Sequence, residues 1–211
     1  MINEVIKHYN LLIEENNDPV NEGSITNIAS DFTSNTAQNE GGAIYNIGTI
    51  TDISGSFSSN SAKNGGAVAN SSSEEWSDAA WGYVTFTGNT EKISGTFTGN
   101  TATEYGGAIY NTGTIKEISG SFTSNKTTTY DGGAVYNAGS VTDIKADSFS
   151  KNSAKRSGGA VYNLVNGKIV NINTSFSENE AQKYGGAIGN DGEIDTINSS
   201  FSLNKAGETG G

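Results

Sequence analysis

The chain is 211 residues long and contains 28 Gly, one Pro and no Cys, and only 33% of its residues are hydrophobic. So few apolar side chains cannot fill a thick globular core, which favours a thin repetitive fold. The formal net charge of −11 argues against nucleic acid or an anionic membrane as a partner, because both are polyanions. The absence of Cys excludes disulfides and thiol nucleophiles.

Residues 1–18 predict an amphipathic helix. Apolar residues recur at helical spacing from Ile2 to Ile13, and the pattern stops before Pro19. Such a helix would cap the open hydrophobic end of the first coil of a solenoid. The N-terminus shows neither the basic region nor the apolar run of a signal peptide, so we expect the chain to be part of a longer protein.

Two short motifs alternate between Ser24 and Gly211. Gly-Gly-Ala followed by Ile or Val begins at Gly41, Gly65, Gly106, Gly132, Gly158 and Gly185. Phe-x-x-Asn begins at Phe32, Phe57, Phe97, Phe122, Phe149, Phe176 and Phe201. A period near 25 residues, with three short strands separated by Gly, Ser and Asn, is typical of one coil of a parallel β-helix. The predicted fold class is therefore all-β, a right-handed parallel β-helix over residues 24–211 with an N-terminal amphipathic capping helix.

Aligning the cycles predicts ladders of like residues that point into the coil. A β-branched ladder follows Gly-Gly-Ala, a second consists of Ile, and the Phe residues form a third. An Asn stands two residues after the β-branched position, at Asn46, Asn70, Asn111, Asn137, Asn163 and Asn190. The Asn of Phe-x-x-Asn predicts another such ladder, from Asn35 to Asn204. Stacked buried amides can satisfy one another, so we interpret both Asn columns as structural.

With both tetrapeptides in alternation over residues 24–211, the chain resembles the chlamydial-type polymorphic outer membrane protein repeat. That repeat is defined by Gly-Gly-Ala-[Ile/Leu/Val] and Phe-x-x-Asn. The resemblance implies a β-helical passenger of an autotransporter adhesin, displayed outside the outer membrane. It identifies no receptor.

One cycle is longer than the others. From Gly-Gly to the next Phe-x-x-Asn the offset is 32 residues between Gly65 and Phe97, against 16 to 18 elsewhere. The predicted insertion is a loop at residues 71–90 that contains Trp76, Trp81 and Tyr83. Insertions in solenoids become surface loops, so these aromatic rings could stack on sugars or anchor a protein surface. Alternatively, they fold back onto the flank of the helix.

A Tyr column provides a second candidate binding surface. Tyr45, Tyr110, Tyr136 and Tyr162 follow the inward β-branched residues and therefore have outward parity. Their rings could stack on a ligand, or they could only stabilise the ladder by stacking on one another.

Charged residues give little support for catalysis. The one His is His8, so His-dependent nucleophilic chemistry and His-ligated metals are poorly supported, and no catalytic residue, metal or cofactor is predicted. Glu117 and Asp143 should be outward neighbours on adjacent coils, the spacing that a retaining glycosidase needs. The same alignment predicts that Lys92 faces Glu117 and that Glu91 faces Lys116, which indicates a solvated charge ladder instead.

The function predicted from the sequence is that of a surface-exposed β-helical adhesin or passenger module for attachment or display. Its expected partner is a host-cell surface protein or glycan and not nucleic acid, and its expected location is the bacterial cell surface. The alternatives are a polysaccharide-processing β-helix enzyme, which resembles tailspike hydrolases or lyases, and a purely structural spacer.

Overall fold

The computed structural model describes residues 11–13, 19–21, 23–77 and 81–211. These residues form a parallel β-solenoid of three sheets that run the length of the coil stack, and the described part of the chain contains no helix. The prediction of an all-β parallel solenoid is confirmed.

Each sheet collects one strand, or one pair of short strands, from successive coils. Sheet 1 consists of Leu11–Ile13, Pro19–Asn21, Ile44–Asn46, Val68–Asn70, Ile109–Asn111, Val135–Asn137, Val161–Asn163 and Ile188–Asn190. Sheet 2 consists of Ser24–Ala29, Phe32–Thr33, Thr49–Ser54, Ser56–Ser58, Asn89–Ile93, Thr96–Thr98, Thr114–Thr123, Ser140–Ser150, Lys168–Ile172, Ser175–Ser177, Glu193–Ile197 and Ser200–Ser202. Sheet 3 consists of Ser61–Asn64, Thr101–Tyr105, Lys126–Thr127, Ser153–Ala154, Glu180–Ala181 and Lys205–Ala206.

Each coil has three sides, but its strands are assigned to those sides differently from the sequence prediction. The Ile-containing strand and the Phe-containing strand lie in the same sheet, and they fuse into a single strand at Thr114–Thr123 and at Ser140–Ser150. The third side of the coil is instead built by the residues that follow Phe-x-x-Asn. There small residues face inward, as at Ala102, Thr127 and Ala154, because this side lies close to the Gly-Gly backbone.

The core is a set of stacked ladders in the predicted register. Residues of the Ile ladder pair directly from Ile28 to Ile197, and the β-branched ladder pairs from Ile44 to Ile188. The Phe rings stack face to face with centroids 4.7 to 5.1 Å apart. That spacing is the distance between neighbouring strands, so one Phe per coil fills the interior without a gap.

The Gly-Gly pair makes the corner between sheets 3 and 1. Gly106 has a φ of 63°, which an L side chain adopts only with strain. At Gly107 a Cβ atom would collide with the carbonyl oxygen of Gly133 on the next coil. The first Gly is therefore required by the turn and the second by the close approach of two backbones.

The Asn of Phe-x-x-Asn makes the corner between sheets 2 and 3. The side-chain oxygen of this Asn accepts two hydrogen bonds from the preceding coil. Asn125 Oδ1, for example, accepts from the backbone N–H of Asn100 at 3.0 Å and from its side-chain Nδ2 at 2.9 Å. Asn125 Nδ2 donates to the carbonyl of Phe97 at 2.9 Å. The residue before each Asn is left-handed in every coil, with a φ of 56° at Ser124.

The predicted N-terminal capping helix over residues 1–18 is wrong at Leu11–Ile13, which forms a strand. This strand pairs antiparallel with Pro19–Asn21, and Pro19–Asn21 pairs parallel with the first strand of the repeats in sheet 1. The other residues of the predicted helix lie outside the described residues. Unpaired N–H and C=O groups at a sheet edge favour the addition of a strand over the packing of a helix.

Candidate functional site

The insertion in the long cycle is an antiparallel hairpin. Ser72–Ser77 pairs with Gly82–Thr87, and these two strands form a sheet of their own. The inserted segment is residues 72–87, which is shorter than the predicted 71–90. Ser71 is 3% exposed, and Thr90 is fully buried in the ladder between Ile50 and Ile115, so both belong to the coil.

The ends of the hairpin meet at the corner between sheets 1 and 2. The backbone N–H of Gly88 donates to the carbonyl of Ser71 at 2.7 Å. Gly88 then accepts hydrogen bonds from the side chain of Asn70 at 3.0 Å and from the backbone of Thr114 at 2.8 Å. Four other Gly-Gly-Ala coils make this corner with an Asn-x-Gly turn, as at Asn111 to Gly113, and one makes it with the longer turn from Asn163 to Gly167. The hairpin is therefore a 16-residue excursion inserted into an otherwise regular turn.

Contacts with two coils fix the base of the hairpin. The backbone N–H of Ser72 donates to Thr112 Oγ1 at 2.8 Å, and its hydroxyl donates to the carbonyl of Thr112 at 3.2 Å. On the other side, the hydroxyl of Ser71 donates to a carboxylate oxygen of Glu40. These bonds hold the hairpin at a defined position beside sheet 1.

One face of the hairpin is exposed and aromatic. Tyr83 is 72% exposed and Trp81 is 88% exposed, while Val84 and Phe86 on the alternate positions are half-buried. Trp76 lies in the first strand, directly across from Tyr83 in the register. The hairpin thus places Trp76 and Tyr83 opposite each other on its two strands and Trp81 at its turn.

Exposed apolar residues also occur at the last coil, where Ile197, Phe201 and Leu203 are 48%, 50% and 74% exposed. Ile197 and Phe201 continue core ladders, so their exposure follows from their place in the stack. Trp81 and Tyr83 belong to no ladder. Their exposure has no explanation in the packing of the solenoid.

The predicted Tyr column lies on the outer side of sheet 1. The rings of Tyr110, Tyr136 and Tyr162 stack with centroids 5.5 and 5.6 Å apart. Tyr136 and Tyr162 are 6% and 4% exposed, because a second layer that includes Tyr105 covers the column, with 4.5 Å between the rings of Tyr105 and Tyr136. Burial, helped by the charge of Glu40, raises the pKa of Tyr110 to about 12. This column therefore offers little open ring surface to a ligand.

An ion pair completes the outer layer. The carboxylate of Asp131 is fully buried and accepts hydrogen bonds from Arg156 Nε at 3.0 Å and from the backbone N–H of Ser157 at 2.8 Å. The guanidinium of Arg156 lies 5.6 Å from the ring centroid of Tyr130, which stacks on Tyr105. Because the buried carboxylate has charged and backbone donors, this cluster is stable without a ligand.

The Asn column of sheet 1 forms an unbroken chain of buried side-chain hydrogen bonds. Each amide donates to the carbonyl oxygen of the Asn in the next coil at 2.7 to 2.8 Å. The second hydrogen of Asn137 Nδ2 is shared between the carbonyls of Gly139 and Lys168, each at 3.2 Å. With every donor used in this way, the column has no capacity for a ligand.

The neighbouring carboxylates Glu117 and Asp143 are paired with cations. Lys92 lies 3.2 Å from Glu117 and Lys116 lies 2.8 Å from Glu91, which confirms both predicted pairs. The hydrogen bond from Lys145 is the main cause that lowers the pKa of Asp143. The carboxylates of this column therefore take part in ion pairs and hydrogen bonds on the outer side of sheet 2.

Sequence reasoning missed a group of cations on sheet 3. Lys126, Lys151 and Lys155 are exposed on two adjacent coils, and we call these three residues the cation face. The sequence contained the signal, because all three lie between Phe-x-x-Asn and the following Gly-Gly or at its edge. The sequence predicts no strand in that stretch, so it predicts no alignment of its outward side chains between coils.

Comparison with known families identifies the repeat. Four segments of the chain match the Chlamydia polymorphic membrane protein repeat. The matched residues are 29–47, 94–112, 148–164 and 173–191. Each segment begins after the residue of the Ile ladder, includes Phe-x-x-Asn and Gly-Gly-Ala, and ends one residue beyond the Asn that follows, so the resemblance inferred from the two motifs is confirmed. The match includes the Phe ladder and the β-branched ladder, and it includes neither the Ile ladder nor the hairpin.

No curated protein and no solved structure matches the chain. Within the described residues, no helix has the length and apolar character needed to cross a membrane.

Proposed function

We propose that the chain is a surface-displayed β-helical adhesin module whose hairpin attaches to a host-cell surface protein or glycan. The repeat model that matches the chain is described as that of a polymorphic membrane protein, which supports a passenger-like role at the cell surface. In this proposal the solenoid is a rigid support, and recognition belongs to the segment that departs from the repeat.

The observation that carries the proposal is the exposed aromatic face of residues 72–87. Exposing Trp81 and Tyr83 to water has an unfavourable free energy that the solenoid does not recover, since the other coils make the same corner without them. Aromatic side chains of this kind dominate binding energies at protein interfaces and stack on the apolar faces of sugars. A two-stranded hairpin is also marginally stable alone, so a partner surface would stabilise it.

Deletion of residues 72–87 tests the proposal, because the join from Ser71 to Gly88 recreates an Asn-x-Gly turn like that at Asn111 to Gly113. The variant should keep the far-ultraviolet circular dichroism spectrum and the unfolding midpoint of the parent, since its core ladders are intact. Binding to host cells and to a glycan array should fall to background. Unchanged binding by the folded deletion variant would mean that the hairpin is not the recognition element.

Point variants separate aromatic contacts from the mere presence of the hairpin. Trp81→Ala combined with Tyr83→Ala should reduce binding at least about tenfold, which is the effect of losing an aromatic anchor. Thr85→Ala, an exposed position on the same face as Tyr83, is the matched control and should bind like the parent. If the chain is a purely structural spacer, the parent should bind no better than the variants. An enzyme would be revealed by release of reducing sugar from an array glycan.

A further inference from the structure

The cations of the described residues are unevenly distributed between the sheets. Six of them form ion pairs with carboxylates: Lys63, Lys92, Lys116, Lys145, Arg156 and Lys168. Five form no ion pair with any described residue: Lys126, Lys151, Lys155, Lys183 and Lys205. All five are exposed, and all five lie on sheet 3 or in the residues next to its strands.

The cation face is the dense part of this distribution. Lys126 lies directly beside Ser153 on the next coil, one strand spacing or about 4.8 Å away. Lys151 and Lys155 lie two residues before and two residues after Ser153 along the same chain. The three lysines are therefore close to Ser153 along the backbone, and Ser153 is half-buried with a hydroxyl that can donate a further hydrogen bond.

None of these three lysines forms an ion pair with a described carboxylate. The stretch from Phe122 to Gly133 and the stretch from Phe149 to Gly159 together contain four cations and one carboxylate, which leaves a charge of +3. That carboxylate is Asp131, and it is already buried against Arg156. On the following coil, Glu180 lies directly beside Ser153 and Glu178 is exposed two residues earlier, so these carboxylates limit the cation face on that side.

A compact excess of positive charge on a chain with a net charge of −11 is a surface arranged to hold an anion. We propose that the cation face binds a linear polysaccharide that carries sulfate groups. Sulfate oxygens accept hydrogen bonds from ammonium and hydroxyl donors, and flexible Lys side chains tolerate the variable spacing of charges along such a polymer.

The shape and surroundings of the cation face favour a thin polyanion over a wide one. Strands of sheet 3 at this level are two residues long, so the positive surface is narrow, and the acidic remainder of the chain surrounds it. A nucleic acid duplex or an anionic membrane would extend beyond this surface and meet repulsive carboxylates. A single polysaccharide chain can contact the cation face and extend into solvent at both ends, without contacting the acidic surface around it.

Immobilised dextran sulfate, with uncharged dextran as the reference, tests the proposal on the intact chain. The variant Lys126→Thr, Lys151→Ser, Lys155→Gln removes the cations by using residues found in the same columns of adjacent coils, which are Thr101, Ser124 and Gln182. The matched control Lys92→Gln, Lys116→Gln, Lys168→Gln removes three paired cations of sheet 2 and lowers the net charge by the same amount.

The parent should bind dextran sulfate and not dextran, with an affinity that falls as salt is raised. The cation-face variant should lose about tenfold or more in affinity, while the sheet 2 control should stay within about twofold of the parent. Deletion of residues 72–87 should leave this binding unchanged, so the result is independent of the hairpin. Absence of binding, equal loss in both triple variants, or equally tight binding of duplex DNA or anionic vesicles would each overturn the proposal.

Discussion

Replacing Asn137 by Ala should destabilise the solenoid from within. The Asn137 side chain is fully buried in the middle of the sheet 1 Asn column. Its Nδ2 donates to Asn163 Oδ1 at 2.8 Å, and its Oδ1 accepts from Asn111 Nδ2 at 2.7 Å. In the Ala variant the carbonyl oxygen of Asn163 loses this donor in a place that water does not reach, while Asn111 still donates to backbone carbonyls.

The expected loss in the free energy of unfolding is about 1 to 3 kcal/mol, the cost of a buried polar group left without its partner. Equilibrium denaturation in urea, followed by circular dichroism, measures the loss at constant pH. The midpoint should fall with little change in slope, since the surface exposed on unfolding is almost the same.

Asn190→Ala is the control within the same column. Asn190 is exposed, so water can replace the bond that it accepts from Asn163, and the expected loss is below about 1 kcal/mol. An equal loss in the free energy of unfolding for the two variants would refute this prediction. It would mean that the buried hydrogen bonds of the column contribute nothing beyond the conformational preference of Asn for this turn.

Two further predictions concern the backbone and the pH dependence. Ser124→Gly should raise the free energy of unfolding by about 0.5 to 1 kcal/mol in the same urea assay, because Ser124 has a φ of 56°, and Thr123→Gly in the adjoining strand should lower it. Since burial raises the pKa of Tyr110 to about 12, its contribution to stability is complete below pH 10 and is lost as the pH rises from 10 towards 12. Tyr110→Phe should reduce that alkaline loss in urea titrations at pH 8 and pH 11, and an unchanged loss would assign it to other groups.

Most of the core was determined by the sequence itself. A residue type that recurs at the same place in each cycle must stack on its own kind when the cycles coil, so the columns of Phe, Ile and Asn specified the register before any coordinates. The pairs Lys92 with Glu117 and Glu91 with Lys116 followed from the same alignment. The repeat family was also readable, because its two motifs are the residues that make the corners.

The tertiary structure decided which surfaces are open. Parity placed Tyr136 and Tyr162 outside the coil, but both are buried, and the ring of Tyr105 from the neighbouring strand of sheet 3 covers Tyr136. The cation face also depends on residues that are distant in the sequence and close in the fold. Lys126 and Lys151 are 25 residues apart in the chain and lie on adjacent coils.

Edges were the other feature that sequence periodicity did not resolve. Helical spacing predicted a capping helix up to Ile13, yet Leu11–Ile13 is a strand of sheet 1. Likewise, Thr90 was assigned to the inserted loop, although it is buried in a ladder between Ile50 and Ile115. A local sequence pattern indicates which residues prefer to be buried together. What is added to the edge of a sheet depends on the unpaired N–H and C=O groups there, and such an edge forms only when the coils stack.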